Sequence, residues 1–184
     1  MTLLHFDAHL DFRPFVHGAE YGNGSPVRKM ASLPHVTSMV QVGMRSMRMS
    51  QDDLADARRN GNDVITMKEY RRLGIERVLD KIPAGTPLYV SMDIDVLDMP
   101  LVPGCASAEP DGFAYEELKQ TLFAIAHHAD VIGFDIVEIN PMLDVRSNST
   151  SLLGAQLALE FMARVADNEP YLRRNGRLAA TAAH

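Results

Sequence analysis

Three side chains able to hold a metal ion stand two residues apart near the start of the chain. They are Asp7, His9 and Asp11, at the end of the apolar run that begins at Leu3. Asp93 and Asp95 repeat the spacing at the end of a second apolar run, Tyr89-Val90-Ser91-Met92. Each run reads as a strand that delivers ligands at its carboxyl end, where open α/β sheets bind theirs. Alternate strand residues share a face, so Asp7, His9 and Asp11 meet only while the chain stays extended, and a kink is expected there. The carboxylates and the imidazole make a hard, oxygen-rich set that favours Mn²⁺ or a similar ion over a thiolate-bound metal. Buried carboxylates need a cation; the alternative is that Asp7 and Asp93 pair with Arg13 or Arg45 and merely close the sheet. Two ions about 3.5–4 Å apart would use the whole set and acidify a shared water for attack on a planar, electron-poor carbon. Asp98, a few residues on, is a candidate acceptor for orienting a ligand or a water.

The elements that position these residues alternate between strand and helix. Strands are expected at 2–7, 36–43, 64–65, 88–93 and 131–136. A long Gly-rich loop over 12–26 ends at Ser25-Pro26, the N-cap and first position of a short helix. A helix from Asp52 or Asp53 stops at Asn60-Gly61. Thr66 with Glu69 forms a capping box opening a helix to Ile82, with Tyr70, Leu73, Val78, Leu79 and Ile82 as its buried stripe. Further helices are expected at 114–128 and 149–166, the last capped near Asn148 or Ser149. This succession predicts an α/β fold, a mostly parallel sheet with helices on both faces. Residues 1–168 read as one domain and 169–184 as a loose tail. The loops at 12–26 and 95–112 both follow ligand-bearing strand ends, so both should overlie one rim.

Composition narrows the function classes. At 184 residues with 46% apolar content, the chain can bury a core. A net charge of −6 argues against a nucleic-acid surface. No stretch of about twenty apolar residues suggests a membrane partner. The single cysteine, Cys105, excludes an internal disulfide and fits a reducing, cytoplasmic compartment. It lies in the loop over the site without a histidine at useful spacing, so no nucleophile role is read for it. His5 reads as a packed, hydrogen-bonded core histidine.

The motifs Asp7-Ala8-His9-Leu10-Asp11, Ser91-Met92-Asp93-Ile94-Asp95-Val96-Leu97-Asp98, Val102-Pro103-Gly104 and Gly133-Phe134-Asp135-Ile136-Val137-Glu138-Ile139-Asn140-Pro141 resemble those of the ureohydrolases, the arginase and agmatinase family. The resemblance implies an arginase-like three-layer α/β/α fold and a binuclear Mn²⁺ hydrolase, agmatinase-like, acting on a guanidino (or formimino) carbon of a small substrate to release urea and an amine. Asp7 and Asp93 match the bridging aspartates, Asp11 a ligand of one ion, and His9 and Asp95 ligands of the other. Glu138 matches the glutamate that holds the substrate guanidinium. Homo-oligomers are common in the family. Two departures stand out. Nothing corresponds to the family's amino-terminal portion with its Gly-Gly-Asp-His motif, so the domain reads as incomplete at its amino end, with a raw sheet edge. Aligning Gly24-Ser25-Pro26-Val27-Arg28 on the family's loop puts Asn23 where most members carry a histidine, and Asn has no titratable nitrogen. Asn23 and Ser25 remain substrate-binding candidates. His17 either swings in from the longer loop as the proton-transfer group or faces solvent. The competing reading is a metal-binding but catalytically weak fragment or subunit.

Overall fold

A computed structural model describes residues 1–15 and 18–177. Five parallel strands, β1 (Thr2–Phe6), β2 (Ser38–Met44), β3 (Asp63–Thr66), β4 (Pro87–Asp93) and β5 (Asp130–Val137), form one sheet in the order β3-β2-β1-β4-β5. The chain builds outward from β1 to β3 and then crosses back to lay β4 on the other side of β1. That reversal opens a crevice at the carboxyl ends of β1 and β4, the place where such sheets bind ligands. Phe6 pairs in register with Met92, so Asp7 and Asp93 leave the sheet side by side.

All five residues of β1 are buried, as a central parallel strand covered on both faces requires. Leu4 and Phe6 join one core, with Val90, Met92, Leu122 and Phe161. Leu3 joins the second, with Met39, Val27 and Ala57. The first core is roofed by α3 (Met67–Leu73), α4 (Glu76–Leu79), α5 (Tyr115–His128) and α6 (Ser149–Ala166), the second by α1 (Pro26–Ala31) and α2 (Gln51–Arg59). The result is a three-layer α/β/α fold, as expected. Helix α5 shows how the pattern works: Leu118, Thr121, Leu122, Ile125 and Ala126 are its buried residues, at helical spacing. No helix among the described residues is long and apolar enough to cross a membrane.

Three expectations are corrected. The helix opened by Thr66, whose hydroxyl does accept from the Glu69 N–H, does not run to Ile82. Gly74 takes a φ of +72°, and splits the segment into α3 and α4, leaving Leu73 exposed. The segment after Asn168 is not wholly loose, because Glu169–Arg174 forms a short helix, α7. Asn148 precedes α6 in a left-handed conformation and gives no side-chain cap. Asp144 caps instead, accepting from the Thr150 and Ser151 N–H groups at 3.2 and 3.0 Å. Desolvation alone would raise this acid, but those donors hold it down to about 2.

Gly43 joins sheet to site. Its φ is +106°, and a Cβ there would stand 2.8 Å from the Asp7 carbonyl oxygen and from Val96 Cγ2. Gly43→Ala should therefore cost about 1–3 kcal/mol, read as a lower denaturation midpoint at unchanged m-value.

Candidate metal centre

The kink expected after β1 is present: Asp11 has a φ of +48°, in the left-handed region that non-glycine residues seldom enter. Before it, Asp7 turns back on its own chain. Its Oδ1 accepts from the His9 N–H at 2.5 Å and lies 3.2 Å from His9 Nδ1. His5 Nε2 is 3.2 Å from Asp7 Oδ2. That contact is an ion pair by distance, and Asp7 Oδ2, His5 Nδ1 and His9 Nε2 are buried without hydrogen-bond partners among the described residues, so the expected hydrogen-bonded core His5 is only half realised. Just beyond β4, in a 3₁₀ turn at Ile94–Val96, Asp95 accepts from the Ala8 N–H at 3.0 Å and from Ser107 Oγ at 3.2 Å, while His9 Nδ1 lies 3.0 Å from its Oδ2. Asp93 accepts from the Asp95 N–H at 2.9 Å.

Two sets of donors result. Ligand atoms of Asp7, His9 and Asp95 fall within 4.8 Å of one another, and so do those of Asp93, Asp95 and Cys105. Among the described residues Asp7, Asp93 and Asp95 pair with no arginine. Arg45 spends its guanidinium on backbone oxygens, including those of Asp95, Glu109 and Pro110, each at 2.8 Å. Arg13 faces Asp53 and the Arg48 carbonyl. The alternative in which these arginines neutralise Asp7 and Asp93 is thereby set aside.

Protons hold the charge in balance. Burial would lower His9, but its bonds to Asp7 and Asp95 outweigh it and raise the imidazole to about 10. Burial, reinforced by Asp7 and Asp95, pushes Asp93 up to about 10, and burial with the Asp7 charge lifts Asp11 to about 7. Burial would also raise Asp7, yet the histidine contacts at His5 and His9 hold it below the ordinary carboxylate range. This cluster of acids, with the buried Asp7 Oδ2 unbonded, could hold a cation. The donor types present fit divalent metal.

A cavity of about 260 Å³ opens over the cluster, lined by Asp11, Asn23, Asp93, Ser107 and Glu138 among others. Asp11 thus faces the site but belongs to neither close donor set. Glu138, just beyond β5, is exposed and has a φ of +63°, backbone strain of the kind functional sites retain. Asp98 and Ser25 are placed elsewhere. Asp98 Oδ1 accepts from the Gly112 N–H at 3.1 Å, which pins its loop rather than lining the cavity. The Ser25 hydroxyl is buried and clasps its own loop, donating to the Glu20 and Gly22 carbonyls. His17 lies outside the described residues.

Sequence reasoning missed Glu109 and undervalued Cys105. Glu109 Oε1 is 3.5 Å from His9 Nε2 and accepts from Ser46 Oγ at 2.7 Å. The Ser46 hydroxyl bond holds this acid below its ordinary value. Neither residue carries a periodic signal; only the Pro- and Gly-rich loop around them hinted at a lid over the site.

The chain thus places a carboxylate–imidazole cluster at the switch point of a parallel α/β sheet. The arginase family model matches residues 1–163, and the chain belongs to that family. It is 33% identical over 167 residues to proclavaminate amidinohydrolase of Streptomyces clavuligerus, covering 88% of this chain and 53% of that protein. It is 34% identical over 174 residues to guanidinopropionase of Pseudomonas aeruginosa, covering 91% of this chain and 54% of that one. Among solved structures, formimidoylglutamase of Bacillus subtilis superposes with a TM-score of 0.80 at 29% identity, covering 91% of this chain and 54% of the other. The chain spans about half the length of the curated relatives it matches.

Proposed function

We propose that this chain is a metal-binding part of a ureohydrolase, which holds divalent cation through Asp7, His9, Asp11, Asp93 and Asp95 and hydrolyses guanidino compounds weakly or not at all by itself. The observation that carries the reading is the buried cluster of Asp7, Asp93 and Asp95 with His9 at the ends of β1 and β4, in which none of the three aspartates has an arginine partner among the described residues. Mn²⁺ suits its mostly hard donors, and bound ions would supply an acidified water. Around it, Glu138 at the cavity mouth can accept N–H bonds from a small guanidinium cation. Asn23 can hold such a substrate by hydrogen bonding but cannot take its proton.

Weak turnover is inferred from what the cavity lacks in these residues. Glu138 is exposed, and among the described residues that line the cavity His9 is the only imidazole, already engaged with Asp7 and Asp95. The outer edge of β5 has no strand partner among the described residues. Ile132 and Val137 of β5 are exposed there, as are Leu152 and Leu159 of α6. A homo-oligomer or a further segment would have this surface to bury. The second reading, a competent agmatinase-like hydrolase, is favoured by the retention of Asp7, His9, Asp11, Asp93 and Asp95 together with Glu138.

Metal content after Mn²⁺ loading and gel filtration, with urea release from agmatine and guanidinobutyrate on the same fractions, separates the two. Retained Mn²⁺ with urea no higher than in the Asp93→Asn variant is the expected result. Retained Mn²⁺ with strong urea production supports the second reading, and no Mn²⁺ at all removes both.

A further inference from the structure

We propose that the Cys105 thiolate is a third ligand to a cation held by Asp93 and Asp95, making that position a mixed oxygen–sulfur site that takes a softer ion, Zn²⁺, Co²⁺ or Cd²⁺, in preference to Mn²⁺. The proposal rests on the cation-binding reading of the centre and goes beyond it in naming a sulfur donor and the class of ion it selects. The ligand atoms of the three residues lie within 4.8 Å of one another. Tetrahedral ligands with a metal–sulfur bond of about 2.3 Å and metal–oxygen bonds of about 2.1 Å stand roughly 3.5 Å apart. Closing on an ion therefore asks for side-chain adjustment of little more than about an ångström at most.

A buried thiol alone could be core filler, and Cys105 does touch the apolar core. Asp93 supplies an independent observation. It is 5% exposed, and its one hydrogen bond among the described residues comes from the Asp95 N–H to Oδ1. Among the described residues its other oxygen has no donor, and the side chain lines the cavity, where that oxygen is open to a ligand. A carboxylate on a cavity wall with an oxygen open to a ligand, beside a thiol, makes a good ligand pair.

The loop holds the sulfur in place. The Cys105 N–H donates to the Val102 carbonyl at 3.0 Å, and the Asn140 N–H to the Gly104 carbonyl at 2.8 Å. The Gly104 N–H donates to Thr150 Oγ1 at 2.8 Å, and a Cβ on Gly104 would meet Asp144 at 2.9 Å. The thiol's polar neighbour, Ser107 Oγ, is 3.8 Å away and itself donates to Asp95. Cys105 thus presents sulfur to the carboxylates from a clamped turn, with no strong partner to give up. On binding, the S–H bond breaks, the proton leaves to solvent, and a sulfur lone pair makes the new bond; nothing is oxidised or reduced. Sulfur is a ligand that soft and borderline ions accept and Mn²⁺ does not favour.

The chelator-stripped full chain, its Cys105→Ser and Cys105→Ala variants, and Asp93→Asn are titrated separately with Cd²⁺, Co²⁺ and Mn²⁺, after circular dichroism has shown each folded. The wild type should develop a saturable thiolate-to-metal charge-transfer band with Cd²⁺ and Co²⁺. Both Cys105 variants should lack it and lose more Cd²⁺ affinity than the roughly 10–100-fold that losing an outer-shell partner costs, while Mn²⁺ binding changes little. Cys105 is the only cysteine, so any such band reports it alone. Should either variant fail to fold, protection of the wild-type thiol from iodoacetamide by Cd²⁺ but not by Mg²⁺ gives the same answer. Cd²⁺ binding without a band, a thiol left unprotected, or equal Cd²⁺ affinity in the Cys105 variants overturns the sulfur ligand while leaving the Mn²⁺ centre standing. Failure of the wild type to bind any of the three ions overturns both.

Discussion

Replacing Asp93 with Asn should make the metal-free chain more heat-stable and abolish its stabilisation by Mn²⁺. The first half follows from burial. Asp93 sits beside Asp7 and Asp95 in a site that pushes its carboxyl up to about 10. The folded chain therefore keeps a proton that the unfolded chain releases above about 4. A raised acid contributes stability that is complete below its unfolded pKa and is lost as pH climbs toward its folded pKa. His9, raised to about 10, works in the same direction above about 6.5. Asp7 is held low, so its contribution is already complete at neutral pH and does not offset the decline. The metal-free wild type should thus lose stability steadily between about pH 6.5 and 10. Asp93→Asn keeps the acceptor for the Asp95 N–H, has nothing to ionise, and should show a shallower decline. The second half follows from linkage. Mn²⁺ at about a hundred times its Kd stabilises the wild type by about 2.7 kcal/mol, which for a chain of this size raises Tm by roughly 5–10 °C. The variant should show no such rise. Melting curves across that pH range, with and without Mn²⁺, test both halves; equal Mn²⁺ shifts in the two proteins would remove Asp93 from the centre.

What could be read in the sequence was local. Asp7 to Asp11 and Asp93 to Asp95 were visible because an apolar run followed by ligands at period two is a strand end with a purpose, and strand order then placed the two together. The Thr66–Glu69 helix start depends on neighbours three residues apart, and it forms; the preceding helix, expected from Asp52 or Asp53, begins instead at Gln51 behind a Ser50 cap. The misses are long-range or conformational. Gly74 reads as a tolerable helix glycine until its positive φ is seen. Asp144 caps α6 from beyond the expected cap residue, because the chain enters that helix through a left-handed Asn148. Asp98 shares a motif with Asp93 and Asp95, yet a 3₁₀ turn at Ile94–Val96 rotates it away from the cavity toward Gly112. The 95–112 loop was expected over the rim, but which of its side chains, Glu109 beside His9 and Cys105 beside Asp93 and Asp95, meet the site depends on its fold and not on spacing.

Arg45→Ala should be among the most destabilising single changes outside the apolar cores, with an expected cost of roughly 3–5 kcal/mol. Arg45 follows β2 and sends its guanidinium into the loop that begins at the ligand-bearing end of β4. One terminal nitrogen donates to the Asp95, Leu97 and Glu109 carbonyls at 2.8, 3.1 and 2.8 Å, and Nε donates to the Pro110 carbonyl at 2.8 Å. Hydrogen bonds from a charged donor contribute about 1.5–3 kcal/mol each. They do not add in full, because one cation serves them all. Truncation leaves those carbonyls facing one another without a donor, and a Gly112 backbone packed against the vanished side chain. Arg45→Lys should recover only part of the loss, since one ammonium cannot span a fork of acceptors. The same change should reach the metal centre. The Glu109 carbonyl is one anchor of the residue that faces His9, and the Asp95 carbonyl belongs to a ligand shared by both donor sets. Mn²⁺ affinity should therefore fall by roughly 10–100-fold, the cost of losing an outer-shell support. Urea denaturation of the metal-free variants measures the first effect and Mn²⁺ titration the second. A midpoint shift worth under about 0.5 kcal/mol, the scale of an ordinary surface substitution, would mean the loop is held by its own turns, and that Arg45 only covers it.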